Sequence, residues 1–377
     1  MRESRRRLLA AIGTGLATGV AGCGYAPGGG DVRGEASLLT GLGGPGGSNR
    51  FDVDGNRIAA ARSGQQWIGE FGDRSFETAT TVRITDRDAE EIGEFVHLEP
   101  SVDVTLGERL YLLDENDRLV ATESIEEGED TDDSVDLEES WRIELDDPAA
   151  PIAAVGETAF VSDGSSLLAV RDGTVVRERS VSGSVETLSA EDGAVLVSTE
   201  AETLALDHEG GSIWEFEIDG PATFAYGEGV TALRSRETLF DDETDLAAVD
   251  TPGGTVRWTT TVGGGNARPA IADGRVHVVV HGSVTAYELA DGQRQWESGD
   301  VGAAAPIVAG LEGAYSLGEN CEAIGVNADG RQWSRTLDRR NCSVVDGWID
   351  GETVAFLLAA GGIVWFQRVD EEPGLLG

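Results

Sequence analysis

The chain contains no lysine: all 28 of its basic residues are arginine, against 69 Asp and Glu, and its net charge is −41. This charge excludes a general nucleic-acid-binding protein, because contacts to phosphate need a basic surface. It also argues against electrostatic attraction to anionic lipid. Proline is scarce, with 10 residues, whereas 40% of the chain is hydrophobic. Such a composition is typical of a folded protein that buries a large core.

The excess of carboxylates fits a protein that stays hydrated in concentrated salt, where screening removes the self-repulsion of its charge. The composition resembles that of proteins from extreme halophiles. The alternative is an acidic protein from a GC-rich genome, which favours arginine but need not lower the isoelectric point to 4.2.

Residues 1–22 have the features of a twin-arginine signal peptide. Arg5 and Arg6 form the motif, and the apolar run that follows, residues 8–21, is too short to span a bilayer. The run ends in Val-Ala-Gly-Cys, which resembles a lipobox whose Cys23 takes the lipid. We expect a protein exported in the folded state and anchored through Cys23 to the outer face of the cytoplasmic membrane. The alternative is a plain signal peptide in which Cys23 is incidental.

Residues 23–50 are rich in glycine and are predicted to form a lipidated, flexible tether ahead of a domain over residues 51–377. Within this tether, residues 36–42 are the candidate for a strand that joins the domain and closes it.

The domain repeats a unit of short alternating segments separated by Asp-Gly turns. Each unit ends in a segment marked by Trp or, once, by Arg. The markers are Trp141, Arg177, Trp214, Trp258, Trp296 and Trp333. Spacings of 36 to 44 residues with alternating strands indicate a β-propeller. We expect each Trp ring to fill the wedge between neighbouring blades.

In the unit of Trp296, Ala-Asp-Gly-Arg-Val-His-Val-Val-Val is followed by Ala-Tyr-Glu-Leu and Asp-Gly-Gln-Arg-Gln-Trp. This pattern resembles the repeat of pyrroloquinoline quinone (PQQ)-type propellers. That family includes quinoprotein alcohol dehydrogenases and the non-catalytic lipoprotein of the bacterial outer-membrane β-barrel assembly machine. The resemblance implies an all-β fold, a single propeller of four-stranded antiparallel blades. Units that begin near residues 51, 100, 151, 185, 221, 269, 306 and 345 predict eight blades, with seven as the alternative.

The candidates for bound metal or cofactor are weak. His277 and His281 lie on an alternating segment, where residues four apart are about 13 Å apart. The segment 123–139 holds ten acidic residues, but its glycine is not at the position that the sharp turn of a calcium loop needs, so we expect a solvated loop. The quinoprotein resemblance implies PQQ beneath a disulfide between adjacent cysteines, with calcium beside it, and this sequence has no adjacent pair. We therefore expect no PQQ, no calcium and no catalytic residues.

Cys321 and Cys342 are expected to form a disulfide, because an exported compartment permits the bond and both lie in turns on one face of the ring. The alternative is two separate buried thiols. Asn341, followed by Cys342 and Ser343, matches the acceptor pattern for N-glycosylation.

These features favour a non-enzymatic, membrane-anchored extracellular propeller that holds other membrane or cell-surface proteins, or a ligand, on its loops. Two alternatives remain. A PQQ-dependent quinoprotein dehydrogenase-like enzyme predicts dye-linked oxidation when PQQ and calcium are supplied. A carbohydrate-binding surface protein predicts an aromatic platform on one face.

Overall fold

Alternating apolar residues and tight glycine-containing turns fold the chain into consecutive antiparallel sheets. A computed structural model describes residues 29–39, 48–68, 75–125, 135–191, 193–218, 220–236, 243–265, 267–298, 301, 306–311 and 313–368. These residues form 33 strands in eight sheets. Within this part of the chain, no helix has the length and apolar character needed to span a membrane.

Strand β1 (Val32–Ser37) comes first in the chain and belongs to the last blade. Blade 1 contains β2 (Ser48–Asp54), β3 (Arg57–Ile68), β4 (Ser75–Asp86), β5 (Glu91–His97) and a fifth strand, β9 (Val135–Asp136). Blade 2 contains β6 (Ser101–Leu106), β7 (Arg109–Asp114), β8 (Arg118–Ser124) and β10 (Glu139–Glu144). Blade 3 contains β11 (Pro148–Val155), β12 (Thr158–Asp163), β13 (Ser166–Arg171) and β14 (Thr174–Ser180). Blade 4 contains β15 (Val185–Glu191), β16 (Ala194–Thr199), β17 (Thr203–Leu206) and β18 (Ser212–Phe216).

The second half of the chain repeats this plan. Blade 5 contains β19 (Ala222–Gly227), β20 (Val230–Ser235), β21 (Glu243–Asp250) and β22 (Val256–Gly263). Blade 6 contains β23 (Ala270–Ala272), β24 (Arg275–Val280), β25 (Ser283–Glu288) and β26 (Arg294–Ser298). Blade 7 contains β27 (Ile307–Gly310), β28 (Gly313–Leu317), β29 (Glu322–Asn327) and β30 (Gly330–Thr336). Blade 8 contains β31 (Val344–Asp350), β32 (Thr353–Leu358), β33 (Gly362–Gln367) and β1.

The blades form a closed ring whose core lies between neighbouring sheets. The first strands contact one another in succession around the axis, as β6 does with β2 and β11. Apolar side chains fill each gap, for example Ile84 of blade 1 against Leu112 of blade 2. At the last gap, Ile58 of blade 1 packs with Leu357 of blade 8. The prediction of eight blades is confirmed, and seven is excluded.

The ring closes through the N-terminal strand, at a position that corrects the prediction. β1 pairs antiparallel with β33 from Val32 opposite Phe366 to Ser37 opposite Gly362. The predicted segment, residues 36–42, overlaps this strand by only two residues. Leu38 and Leu39, which made that segment apolar, are buried after the strand in the seam between blades 8 and 1. The propeller therefore begins before residue 51, inside the segment predicted to be a tether.

The acidic insertion of blade 2 also differs from the expected solvated loop. Residues 126–134 lie outside the described part, but β9 pairs in parallel with β5 of blade 1. Leu137 donates its backbone N–H to Glu94 O at 2.8 Å. It also packs on the apolar cluster between blades 1 and 2. One end of the insertion therefore covers the outer edge of blade 1.

The Trp markers lie on the outermost strands, each opposite a small residue of the third strand. The pairs are Trp141 with Ala121, Trp214 with Ala205, Trp258 with Ala248, Trp296 with Ala286 and Trp333 with Gly325. The small residue leaves room for the indole to lie across the sheet. In three blades the indole also contacts an aromatic ring of the second strand. Trp141 is tilted against Tyr111, Trp296 meets His277 edge-on, and Trp333 stacks on Tyr315.

Three of these indoles bridge to the following blade by hydrogen bonds. Trp214 Nε1 donates to Thr251 O at 2.9 Å, and Trp258 Nε1 donates to Leu289 O at 3.0 Å. Trp333 Nε1 donates to Arg368 O at 2.8 Å. Thr251 and Leu289 lie at the turn between the third and fourth strands of the next blade, and Arg368 directly follows β33, the third strand of blade 8. The Trp rings thus lie between neighbouring blades.

Candidate interaction faces

The antiparallel order of the strands gives the disc two different faces. Turns between first and second strands, and between third and fourth strands, open on one side, which we call the turn face. Turns between second and third strands, and the links from one blade to the next, open on the opposite side, which we call the linker face. Function in propellers resides on such loops, because the strands are committed to the core.

The turn face is acidic around the axis. Six of its first turns carry a carboxylate in or beside them: Asp54, Glu108, Glu157, Glu228, Asp273 and Asp350. Two of these are neutralised by ion pairs of 2.7 Å, from Arg57 and Arg275 to Asp54 and Asp273, respectively. The blade 7 turn exposes Leu311, at 73% of its surface. This face therefore presents the exposed Leu311 side chain in acidic, hydrated surroundings.

The linker face covers a buried ion network that the sequence analysis missed. His97 Nε2 lies 3.0 Å from Asp114 Oδ2, and Arg118 Nε donates to the same oxygen at 2.8 Å. Asp114 Oδ1 accepts from the backbone N–H groups of Asn116 and Arg118. Burial opposes ionisation of Asp114, but the bonds from Arg118, His97 and these amides outweigh it and hold its pKa below the usual range. The network connects β5 of blade 1 to blade 2. In the sequence, the one feature that points to it is Asp114 at the start of a tight turn.

Leu98 and Val345 are exposed on the linker face, at 55% and 41% of their surfaces. Arg268 is also exposed there, although its Nε donates to Phe224 O at 2.6 Å. An open cavity of about 510 Å³ lies on blade 3, beside the link from blade 2, and is lined by Asp146, Asp147, Asp163, Gly164, Ser165, Ser166, Leu168, Val175 and Glu178. The linker face thus offers exposed apolar and basic groups at several blades and an acidic cavity at blade 3.

Polar side chains of the first strands connect blades at the axis. Asp52 Oδ2 accepts from Leu106 N at 2.6 Å and from Thr105 Oγ1 at 3.0 Å. Asp103 Oδ2 accepts from Ile152 N at 3.0 Å. Burial raises the pKa of Asp52 to about 6, although the hydrogen bonds from Leu106 and Thr105 oppose the shift. Both carboxylates hold the next blade in place, which assigns them a structural role.

That the chain binds neither PQQ nor calcium stays a prediction. The marker Trp residues lie in outer strands between blades, and Trp348, on the first strand of blade 8, is 5% exposed and packs in the core. The two described cysteines, Cys321 and Cys342, are not adjacent. Among the described residues, no group of three or more His, Cys, Asp or Glu side chains could hold a metal ion. We derive no chemical step through these groups.

The predicted cysteine pair is bonded. Cys321 and Cys342 are joined with a Cα–Cα distance of 5.0 Å and both are buried. Cys321 precedes β29 of blade 7 and Cys342 precedes β31 of blade 8, so the bond links these blades on the linker face. Asn341 beside it is exposed, and its Oδ1 accepts from Ser343 N at 3.2 Å. Glycosylation of Asn341 stays a prediction.

Comparison with known proteins agrees with this fold. A family model described as outer membrane protein assembly factor BamB matches residues 200–348. The structure is similar to BamB from Moraxella catarrhalis, with a TM-score of 0.61 and 12% identity, covering 91% of this chain and 98% of that one. It is also similar to the computationally designed Ika8 protein (TM-score 0.58, 10% identity, 86% and 98% covered). Sqt1 from Saccharomyces cerevisiae is a third similar structure (TM-score 0.55, 10% identity, 91% and 99% covered). No curated protein sequence matches the chain.

Proposed function

We propose that this PQQ-like β-propeller, which resembles BamB, is a non-enzymatic scaffold that holds partner proteins on its faces. We propose further that it is exported by the twin-arginine route and anchored at the outer face of the cytoplasmic membrane by lipid on Cys23. The observation that carries the proposal is the agreement in fold, over 91% of this chain, with a protein described as an assembly factor. A fold alone does not define a function, so the experiments below address binding directly.

The anchor is compatible with the geometry of the ring. Cys23, Arg5 and Arg6 lie outside the described residues, which begin at Gly29 on the turn face. Six residue steps separate Cys23 from Gly29, and an extended chain spans at most about 3.6 Å per residue, or roughly 20 Å. A lipid on Cys23 therefore holds the rim of blade 8 close to the membrane and leaves most of both faces accessible.

The test is crosslinking and affinity purification of the tagged protein from its own membranes in concentrated salt. Two variants determine which face binds a partner: Leu98→Glu alters the linker face, and Leu311→Glu alters the turn face. Both leucines are exposed, so neither change should disturb the core, and each variant serves as the control for the other. We expect specific partner proteins that one variant loses and the other retains. Recovery of no protein above an untagged control would contradict the scaffold.

The non-enzymatic part of the proposal has its own assay. Purified protein supplied with PQQ and calcium should show no cofactor absorbance after gel filtration and no dye-linked oxidation of alcohols or sugars. Turnover under these conditions would contradict it.

A further inference from the structure

Four arginines, Arg331, Arg335, Arg339 and Arg340, lie within ten residues at the junction of blades 7 and 8, with Asp338 as the one acid among them. No other ten-residue stretch beyond the N-terminal arginines holds four. We call the three nearest the linker face, Arg335, Arg339 and Arg340, the basic seam. In a chain of net charge −41, this is a local reversal of sign.

The basic seam is exposed and only partly neutralised. All three arginines are exposed. Arg339 forms an ion pair with Glu35 of β1. Arg335 and Arg340 form no ion pair with any residue in the part of the chain that the structure describes. Two guanidinium groups thus remain available to an external anion.

The seam begins about 7 Å from the point where the chain leaves the disc toward Cys23 and extends from there toward the linker face. A Cβ on Gly30 would lie 2.6 Å from the ring of Trp333, so the first described residues pack directly on β30. Arg335 follows Trp333 by two residues on this strand, about 7 Å further along. The ion pair from Arg339 to Glu35 holds the rest of the seam against β1, the strand that follows the exit point.

We propose that the basic seam docks the rim of blades 7 and 8 on anionic phospholipid headgroups. Guanidinium groups bind phosphate oxygens in a bidentate manner. The inference rests on the proposed anchor, because the net charge repels an anionic surface unless the chain is held there. Six residue steps from Cys23 bring this rim within roughly 20 Å of the bilayer. Anchoring brings this positively charged part of the rim to the lipid.

The test uses lipidated full-length protein in vesicles and measures the rate at which phenylglyoxal modifies each arginine. One set of vesicles contains phosphatidylglycerol and phosphatidylcholine, and the other contains phosphatidylcholine alone. Arg142 and Arg294 are internal controls, because both side chains are at least half exposed and lie on blades 2 and 6. Flotation of the vesicles verifies the anchor in each sample.

We expect Arg335 and Arg340 to be modified roughly threefold more slowly on anionic than on neutral vesicles, a factor typical of one exposed ion pair. Arg142 and Arg294 should react equally on both. Arg339, which is paired with Glu35 in the same seam, should be slowed in the same direction but to a smaller extent. The double variant Arg335→Gln/Arg340→Gln, which keeps the anchor, should remove this slowing, whereas Arg142→Gln should leave it unchanged. If the protein floats with both kinds of vesicle but Arg340 is modified at the same rate on both, the docking is overturned and the anchor stands. Failure to float overturns the anchor and, with it, this inference.

Discussion

His277 occupies the second-strand position that Phe160 fills in blade 3 and Tyr315 fills in blade 7. In each unit this residue pairs with the small residue opposite the outer-strand marker. His277 is 1% exposed and meets the edge of the Trp296 ring. Burial lowers the pKa of its imidazole to about 4, with a smaller contribution from Arg275.

His277 should make stability depend on pH. Its pKa is lower in the folded state than in the unfolded state, so the unfolded chain binds the proton first and stability is lost as pH falls from about 6.5 toward 4. At pH 5 the loss is about 2 kcal/mol. His277→Phe should remove this loss, as measured by denaturant unfolding at pH 7 and pH 5. Asp52, with its raised pKa, shifts stability in the opposite direction in both proteins, so the difference between them isolates His277. Equal losses in the two proteins would contradict the assignment.

Arg234 is fully buried. Its guanidinium donates to Gly263 O in blade 5, to Ala267 O in the link to blade 6 and to Val279 O in blade 6, so it joins the two blades. Arg234→Met should lower the free energy of unfolding by about 3 kcal/mol or more, because several buried carbonyls lose a donor. Arg236→Gln, two residues along at the surface, is the control and should change it by less than about 1 kcal/mol. An unchanged free energy of unfolding in Arg234→Met would contradict this role and show that water replaces the guanidinium.

At the scale of elements, the turn glycines after the third strands limit how closely blades approach. A Cβ on Gly292 would lie 2.7 Å from the Trp258 ring, and φ is +73° there. Gly274 has a similar φ of +67°, but a Cβ placed on it would have its nearest neighbour atom 3.9 Å away. Substitution at Gly274 therefore measures the cost of backbone strain alone, and substitution at Gly292 measures that cost together with the contact between blades.

Gly274→Ala should cost about 1 to 2 kcal/mol, the cost of a left-handed conformation. Gly292→Ala should cost this amount plus about 1 to 3 kcal/mol of overpacking against Trp258. Thermal unfolding of both variants in one salt buffer measures the difference. Equal costs would mean that the indole moves freely and does not fix the distance between blades 5 and 6.

Elements inside the repeat were predictable, because the Trp markers, small residues and Asp-Gly turns recur with a fixed spacing. Even Arg177 follows the pattern: its aliphatic stem packs near Gly210 of the next blade. The position of β1 was predicted incorrectly because an outer strand needs few apolar residues. The prediction relied on the apolar pair Leu38 and Leu39, which follows β1 and fills the seam between blades 8 and 1. β9 was missed because two residues of parallel pairing leave no periodic signal. The His97–Asp114 contact joins different blades, so sequence spacing alone does not reveal it.

For the whole molecule, two features secure the junction at which the ring closes. β1 supplies the last strand of blade 8, and the disulfide ties blade 8 to blade 7. Cys321 and Cys342 are 21 residues apart, so the bond should contribute about 3 kcal/mol by restricting the unfolded chain. The double variant Cys321→Ala/Cys342→Ala should therefore unfold at lower temperature while keeping its β-sheet circular dichroism. An unchanged unfolding temperature would show that β1 alone secures the closure.

The anchor at Cys23 connects the fold to both the proposed scaffold and the docking rim. The most direct measurement expresses the full-length protein and its Cys23→Ser variant in the native host and separates membranes after a high-salt wash. The wild-type protein should remain with the membranes, and the variant should be released in folded, soluble form, since the rim alone cannot hold so acidic a domain. Retention of the variant on washed membranes stripped of other proteins would contradict the lipid anchor.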